Sequence, residues 1–366
     1  MQVRDIINAI EEFAPTVYQE PYDNAGLQLG DVSASVRGVL LALDVTEALL
    51  DEAQQRDCNM IVAHHPLLFS GLKSITGSNY VERIVQKAIK HDIHIYAAHT
   101  NLDNVYNGVN AMIAEKLGLQ DCSVLAPMPA TLYKLYTYVP VPDADKVLNA
   151  LFQAGAGSVG RYYECSFSTN GVGTFRPETG TNPTIGVPGG PRESVNEQKI
   201  EVIVPKHLQN KVLKALFSSH PYEEVAYELI ALHNSNQQLG AGKIGLLPQP
   251  MSEQDFLKHI KTNMHVECIR HTALLNKPVQ KVAVCGGSGS FLLKDAIKAG
   301  ADFFITADFK YHQFFDADGH IVIADIGHYE SEQFTIEIFQ SLLNKKFPKF
   351  AILLSNINNN PVKYFS

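Results

Sequence analysis

Apolar residues at Val3, Ile6, Ile7, Ile10 and Phe13 recur at helical spacing and predict a helix over residues 1–15. A polar turn, PYDNAGLQLGD, follows it. From there the pattern changes to short apolar runs that alternate with amphipathic stretches. Residues 39–43 predict a strand, and 46–56 a helix with Thr46 as its N-cap. Met60–Ala63 predicts a buried strand that runs into His64-His65-Pro66. Residues 80–91 predict a helix, and 93–98 a strand that runs into His99-Thr100-Asn101-Leu102-Asp103. A helix over 110–117 then ends at Gly118.

The last third follows the same plan. Residues 282–285 predict a strand, 291–299 a helix, and 303–306 a strand that runs into Ala307-Asp308. Residues 321–324 predict a strand leading to Asp325-Ile326-Gly327-His328, then a long helix to about residue 343 and a final strand at 350–355. CNMIVAHHP matches ADFFITADF in period and position, and HIYAAHTNLD matches HIVIADIGHYE. The expectation is an α/β fold of two related halves that form one domain, residues 1–125 plus 241–366, with mainly parallel strands covered by helices. The segment 126–240 reads differently. Its predicted order is β-α-β-β-α-β, with a Gly-, Pro- and Thr-rich loop at 171–194, which suggests an inserted ferredoxin-like α+β domain.

Composition narrows the function classes. The 366-residue chain carries a formal charge of −8 and no concentrated basic stripe, which makes it a poor general binder of nucleic acid. Its five cysteines are widely spaced and never in a CxxC pair, as expected of reduced thiols rather than a disulfide framework or a thiolate zinc site. No stretch reaches the ~20 apolar residues needed to span a bilayer, and the N-terminus lacks the apolar core of a signal peptide. A cytoplasmic protein with no membrane partner is expected.

The chemistry collects where strands end. In open parallel sheets, ligands gather at the carboxyl ends of strands. His64 and His65 follow one apolar strand, His99 and Asp103 the next, and His328 a third. Glu332 lies four residues after His328, so the two can share a helix face. Imidazole and carboxylate ligands suit zinc, iron or manganese. His64, His65, Asp103, His328 and Glu332 are enough for two divalent ions with coordination positions left for water. Any one of the 14 histidines is more often a surface or hydrogen-bonded residue than a ligand. The joint pattern of HHP, HTNLD and GHYESE at matched strand ends is what sets these apart.

PYDNAGLQLGD, AHHPLLF, AAHTNLD, TADFKYH and GHYESE together resemble the GTP cyclohydrolase 1 type 2 homologues, also called the NGG-one-interacting-factor-three-like family. The similarity covers both α/β halves. GRYYECSFSTNGVGTF and SHPYEEVAYE resemble the insert of its longer members. The resemblance implies a dinuclear metal site on His64, His65, Asp103, His328 and Glu332, with Glu332 as the bridging candidate. It also implies a homohexamer and an insert related to small trimeric signalling-type folds. The family often has Trp before the Asp-Asn of its first motif, where this chain has Tyr22.

Other features have plainer readings beside functional ones. Gly155 to Gly160 matches GxGxxG but follows a helix, so it reads as a helix C-terminal turn. Gly286-Gly287-Ser288-Gly289-Ser290 is a tight turn or an anion cradle. Asp308, His312 and His99 are candidates to orient a ligand or carry a proton, against a plain strand-end role. Asp23-Asn24 reads first as a turn, with reach to the metal site from the adjoining loop as the alternative, and His220-Pro221-Tyr222-Glu223-Glu224 reads first as a structural turn, with shaping of a cavity or an interface as the alternative. The function expected is metal-dependent hydrolysis of a small molecule, with a nucleotide-type substrate suggested by the family name. Phosphoester hydrolysis and a non-enzymatic metal-binding or regulatory assembly are the alternatives.

Overall fold

The four-residue runs Val39–Ala42, Met60–Ala63 and His94–Ala97, apolar except for His94, are buried at every position. A strand covered on both faces requires this, whereas one with a wet face alternates. The structure is a computed structural model that describes residues 1–365, a mixed α/β protein with three sheets. The first sheet runs in the order Gly26–Leu29, His94–Ala97, Met60–Ala63, Val39–Ala42, Ile352–Leu354. Its last three pairings are parallel, and Gly26–Leu29 is antiparallel to His94–Ala97. That edge strand lies inside the segment expected to be a polar turn.

Helices Glu47–Gln55 and Tyr80–Lys90 cover this sheet. Thr46 caps the first as expected, its hydroxyl accepting from the Leu49 N–H at 3.2 Å. Asn79 caps the second by accepting from the Glu82 N–H at 3.0 Å. Leu49, Leu50, Ile84 and Val85 pack on Leu40, Ile61 and Ile95 in one cluster. Each such side chain contributes about 1.5–3 kcal/mol when fully buried.

The second sheet runs Arg270–His271, Val322–Asp325, Phe303–Ala307, Val279–Ser288, Gly240–Met251, Gln120–Pro127. Only its middle is parallel: Phe303–Ala307 pairs in parallel with both neighbours. The remaining pairings are antiparallel, so the expectation of mainly parallel strands fails here. Two of the three antiparallel pairings belong to Gly240–Met251, which runs antiparallel to both its neighbours, and the third to the two-residue edge strand Arg270–His271. The three glycines and two prolines of Gly240–Met251 hide it in the sequence. Pro248 and Pro250 fall where the ladder to Val279–Ser288 is irregular, between Leu246 and Met251.

Two further expectations change. The long helix after Gly327 is broken into His328–Glu332 and Thr335–Lys346. Pairing also sets Met60 opposite His94 and Phe303 opposite Val322. If Met60 corresponds to Phe303, as the motif match has it, His94 corresponds to Val322 rather than to His320, a shift of two residues.

The chain divides into two compact units, Met1–Pro127 with Gln237–Ser366, and Met128–Asn236. The first holds both sheets described above. The second is an antiparallel sheet in the order Ser166–Phe175, Glu193–Pro205, Leu132–Pro140, Tyr227–Ala231. Helices Ala144–Gln153 and Gln209–Ser219 fill one face, burying Leu135, Val139, Ile200, Val202 and Val204 against Val147, Leu151, Val212 and Leu216. Tyr136 and Tyr138 alternate with those positions and point to the other face.

Candidate metal centre

Five strand ends of the first unit deliver the site. Val39–Ala42 leads to Asp44, Met60–Ala63 to His64 and His65, His94–Ala97 to His99 and Asp103, Phe303–Ala307 to Asp308, and Val322–Asp325 to His328. The short helix His328–Glu332 places His328 and Glu332 one turn apart.

Each ring in the cluster is gripped through Nδ1, and the four grips have four different sources. His64 Nδ1 lies 2.9 Å from the Ala98 carbonyl oxygen, and His65 Nδ1 2.7 Å from Asp44 Oδ1. His328 Nδ1 lies 2.7 Å from Asp308 Oδ2, and His99 Nδ1 2.8 Å from Asp23 Oδ1. An acceptor at Nδ1 keeps the proton there and leaves Nε2 with its lone pair, the arrangement that supports imidazole ligands of metal ions.

The inward-facing atoms meet around Glu332. Its Oε2 lies 3.0 Å from His65 Nε2 and 3.1 Å from His328 Nε2, and those two nitrogens are 3.2 Å apart. Its Oε1 lies 3.7 Å from His64 Nε2, which is in turn 3.6 Å from Asp103 Oδ1. His64 Nε2 and Asp103 Oδ1 are buried with no hydrogen-bond partner among the described residues. Two ligands at about 2.0–2.1 Å on one tetrahedral ion lie roughly 3.3 Å apart. The spacings of both triads, His65–His328–Glu332 and His64–Asp103–Glu332, fit that separation. His64, His65 and His99 form a third group with the same potential.

The electrostatics point the same way. Burial disfavours a charged imidazole, yet hydrogen bonds to Asp44 and Glu332 raise His65 to about 10. Those to Asp308 and Glu332 raise His328 to about 11 against the same opposition. Burial, then the charge of Glu332, raises Asp103. Burial also works against Glu332, but His64, His328 and His65 hold it well below the usual carboxylate range. The site is a negative field that retains positive charge, and divalent ions satisfy such a field in place of protons. Burial and the charges of Asp103 and Glu332 push the Cys285 thiol up, away from a reactive thiolate.

Glycine makes room for the shared carboxylate. Gly287 sits at φ +60°, and a Cβ there would lie 2.4 Å from Glu332 Oε1. Its N–H donates to Ser331 Oγ at 2.9 Å, and that of Gly286 to Asn110 Oδ1 at 3.0 Å. These two amides are taken internally, and Gly286 and Gly287 form a close-packed wall against Glu332.

The structure brings together His64, His65, Asp103, His328 and Glu332, with His99 and Asp308 beside them. It leaves His312 out. His312 is exposed on the turn Tyr311–Ala317, its ring against Tyr311 and Phe315. The chain leaves its strand at Asp308 in the left-handed conformation, φ 59°, which turns the carboxylate to His328 while the following turn carries His312 away. Asp23 is more than a turn residue: besides holding His99 it accepts from the Thr100 N–H at 3.0 Å. Burial raises its pKa less than the bonds from His99 and Thr100 lower it, and it settles at about 2. Asp44 was not singled out in the sequence, although its place just after an apolar strand, like that of His64, was the available signal.

The cluster opens into a cavity of about 1090 Å³ within the same unit. Tyr22, Phe69, Tyr80 and Tyr329 contribute aromatic wall, and Arg270 and Asn359 polar wall.

A mixed α/β fold with a buried histidine–carboxylate cluster at its strand ends defines a class of candidate metal proteins. The family model Duf34/NIF3 (NGG1p interacting factor 3) matches residues 1–361, and the chain belongs to this family. It is 42% identical over 365 residues to a Halalkalibacterium halodurans protein called GTP cyclohydrolase 1 type 2 homolog, covering 98% of each chain. A Bacillus subtilis protein of the same name is 37% identical over 367 residues, with 99% of this chain and 98% of that one covered. The crystal structure of a Bacillus cereus protein related to NIF3 superposes with a TM-score of 0.87 at 40% identity, covering 100% of this chain and 99% of the other. Among the described residues, no helix is long and apolar enough to cross a membrane.

Proposed function

We propose that the cluster is a dinuclear divalent metal centre serving hydrolysis of a small molecule of nucleotide type. The observation that carries this reading is Glu332, whose Oε1 faces His64 and Asp103 while Oε2 faces His65 and His328. One carboxylate thereby serves both triads, with zinc, iron or manganese the ions these donors suit. Bound ions would supply Lewis-acid polarisation of a carbonyl, amidine or phosphoryl group and make water acidic near neutral pH.

The protein's own residues account for the rest. Asp44 and Asp308 hold His65 and His328 in the tautomer that presents Nε2. Asp23 does the same for His99, whose Nε2 is left to accept or donate a proton beside the metal ligands. The aromatic wall of the cavity takes a flat ring, and the buried depth of Glu332 and His64 excludes bulk water from the ligand side.

The name borne by the relatives points to ring opening of GTP, with water attacking the purine carbon between two nitrogens. The test is incubation of protein loaded with zinc, manganese or iron(II) with GTP, followed by assay of formate and a pterin-type product. Turnover lost in Glu332→Gln supports the reading. No turnover with any of the three metals removes GTP as substrate, and phosphate release from a phosphoester panel would move the assignment to a phosphoesterase. If metal binds at two ions per chain and nothing is turned over, the site belongs to a metal-holding or regulatory assembly. The homohexamer implied by the family resemblance is tested by light scattering, where a monomer mass removes it.

A further inference from the structure

The second unit, Met128–Asn236, holds a cavity of its own, about 730 Å³, on the face of its sheet that the helices do not cover. This is within the range of small-molecule pockets, roughly 300–1,000 Å³. Its origin lies in the sequence of one edge strand. Thr169, Gly171, Gly173 and Phe175 alternate along that face, and the two glycines leave a trough where side chains would otherwise stand.

Pairing sets Gly171 opposite Glu197. Glu197 is 9% exposed and lies across the strand over Gly173, where a Cβ would come within 2.0 Å of its Oε2. Its other oxygen accepts from the Tyr222 hydroxyl at 2.8 Å. Among the described residues no cation pairs with it. The nearest lysine on the face, Lys199, is engaged by Glu201 at 3.1 Å and by the Tyr136 ring at 4.2 Å. A buried carboxylate with one neutral hydrogen bond is incompletely compensated. Phe175 and Tyr222 stand beside it with ring centroids 5.8 Å apart. Among the lining residues, Glu178, Glu197, Glu223 and Glu224 outnumber Arg176 and Lys199. Buried carboxylate, aromatic walls and acidic lining all favour positive charge on an apolar body.

We propose that this cavity is a binding site for a small organic cation, an amine or amidine carried on an aromatic or aliphatic body, with Glu197 as its counter-ion and Phe175 and Tyr222 as its walls. The site is separate from the metal centre and does not depend on what that centre does.

The probes are benzamidine and benzoate, which share a ring and carry opposite charge, titrated calorimetrically into the full-length chain. Benzamidine should bind saturably and about tenfold or more tighter than benzoate, the scale of a desolvated cation–π contact plus a charged hydrogen bond. Glu197→Gln should remove that preference. Gly171→Val should abolish benzamidine binding by filling the trough. Gly171 has no atom within 4 Å of where its Cβ would stand, so this variant keeps the fold even if Glu197→Gln does not. Unchanged circular dichroism and thermal midpoint confirm that. The proposal is overturned if benzamidine does not bind, if benzoate binds as tightly, or if Gly171→Val leaves benzamidine binding intact.

Discussion

The two cavities are made in opposite ways. The cavity of the first unit is defined by what fills its floor: imidazoles and carboxylates from five strand ends, crowded until buried nitrogen and oxygen atoms face one another without hydrogen bonds. The cavity of the second unit is defined by what is missing, two side chains from one strand at Gly171 and Gly173. Crowded polar groups need a cation to balance them, and the cost of their burial makes the site specific. A trough needs only bare backbone, and its selectivity rests on the single buried carboxylate it exposes. Strong ligand effects are therefore expected in the first unit and graded ones in the second.

The sharpest way to break the comparison is Glu332→Gln. It keeps the shape of the side chain but removes the charge that faces both triads, and metal content by mass spectrometry should fall from the proposed two ions per chain to one or none. Unchanged metal content would show that the two triads do not share this carboxylate. Asp44→Asn and Asp308→Asn remove the supports of His65 and His328 and should each weaken metal binding about 10- to 100-fold. Equilibrium dialysis checks this, and His64, held by the Ala98 carbonyl, is untouched by either change. Leu216→Ala, at a fully buried position of the second unit, should cost about 2–5 kcal/mol of that unit's stability in chemical unfolding. The metal content of the chain should not change.

The smallest effect concerns the segment before the helix Tyr80–Lys90. Glu82 accepts from the N–H groups of Ser78 and Thr76, from both their hydroxyls and from Asn79. These bonds, led by the Ser78 and Thr76 amides, hold it at about 2, below the usual glutamate range. A depressed carboxylate contributes stability that is complete above its unfolded value and lost as pH falls through the folded one. Hydrogen exchange at Thr76 and Ser78 should therefore quicken as pH falls from about 4.5 toward 2, once corrected for intrinsic rates. Glu82→Gln should show faster corrected exchange at neutral pH and a flatter acid response.

Much of this was legible in the sequence, for a reason visible at particular residues. His64, His65 and His99 stand directly behind apolar runs short enough to be only strands, His328 follows another within four residues, and strand ends converge by topology. Asp44 stands in the same relation to its strand, but a lone aspartate there looks like any turn residue. For Asp23 a turn was the preferred reading over a reach to the metal site, because its partners His99 and Thr100 are 76 and 77 positions away. The strand Gly240–Met251 was invisible because its glycines and prolines argue locally for a loop, and only sheet pairing overrides them. The trough at Gly171 and Gly173 needed register, since glycines two apart mean nothing until both are known to face one side.

Gly287 carries a consequence for descent. The atom in the way of a side chain there is the tip of Glu332, normally free to move aside, but here held from three sides by His64, His65 and His328. Glycine is thus held at 287 twice over, by its φ of +60° and by the glutamate, and a lineage that keeps the glutamate is bound to keep the glycine. Across relatives, a bulky residue at 287 should therefore mark a branch in which the carboxylate at 332 has been abandoned.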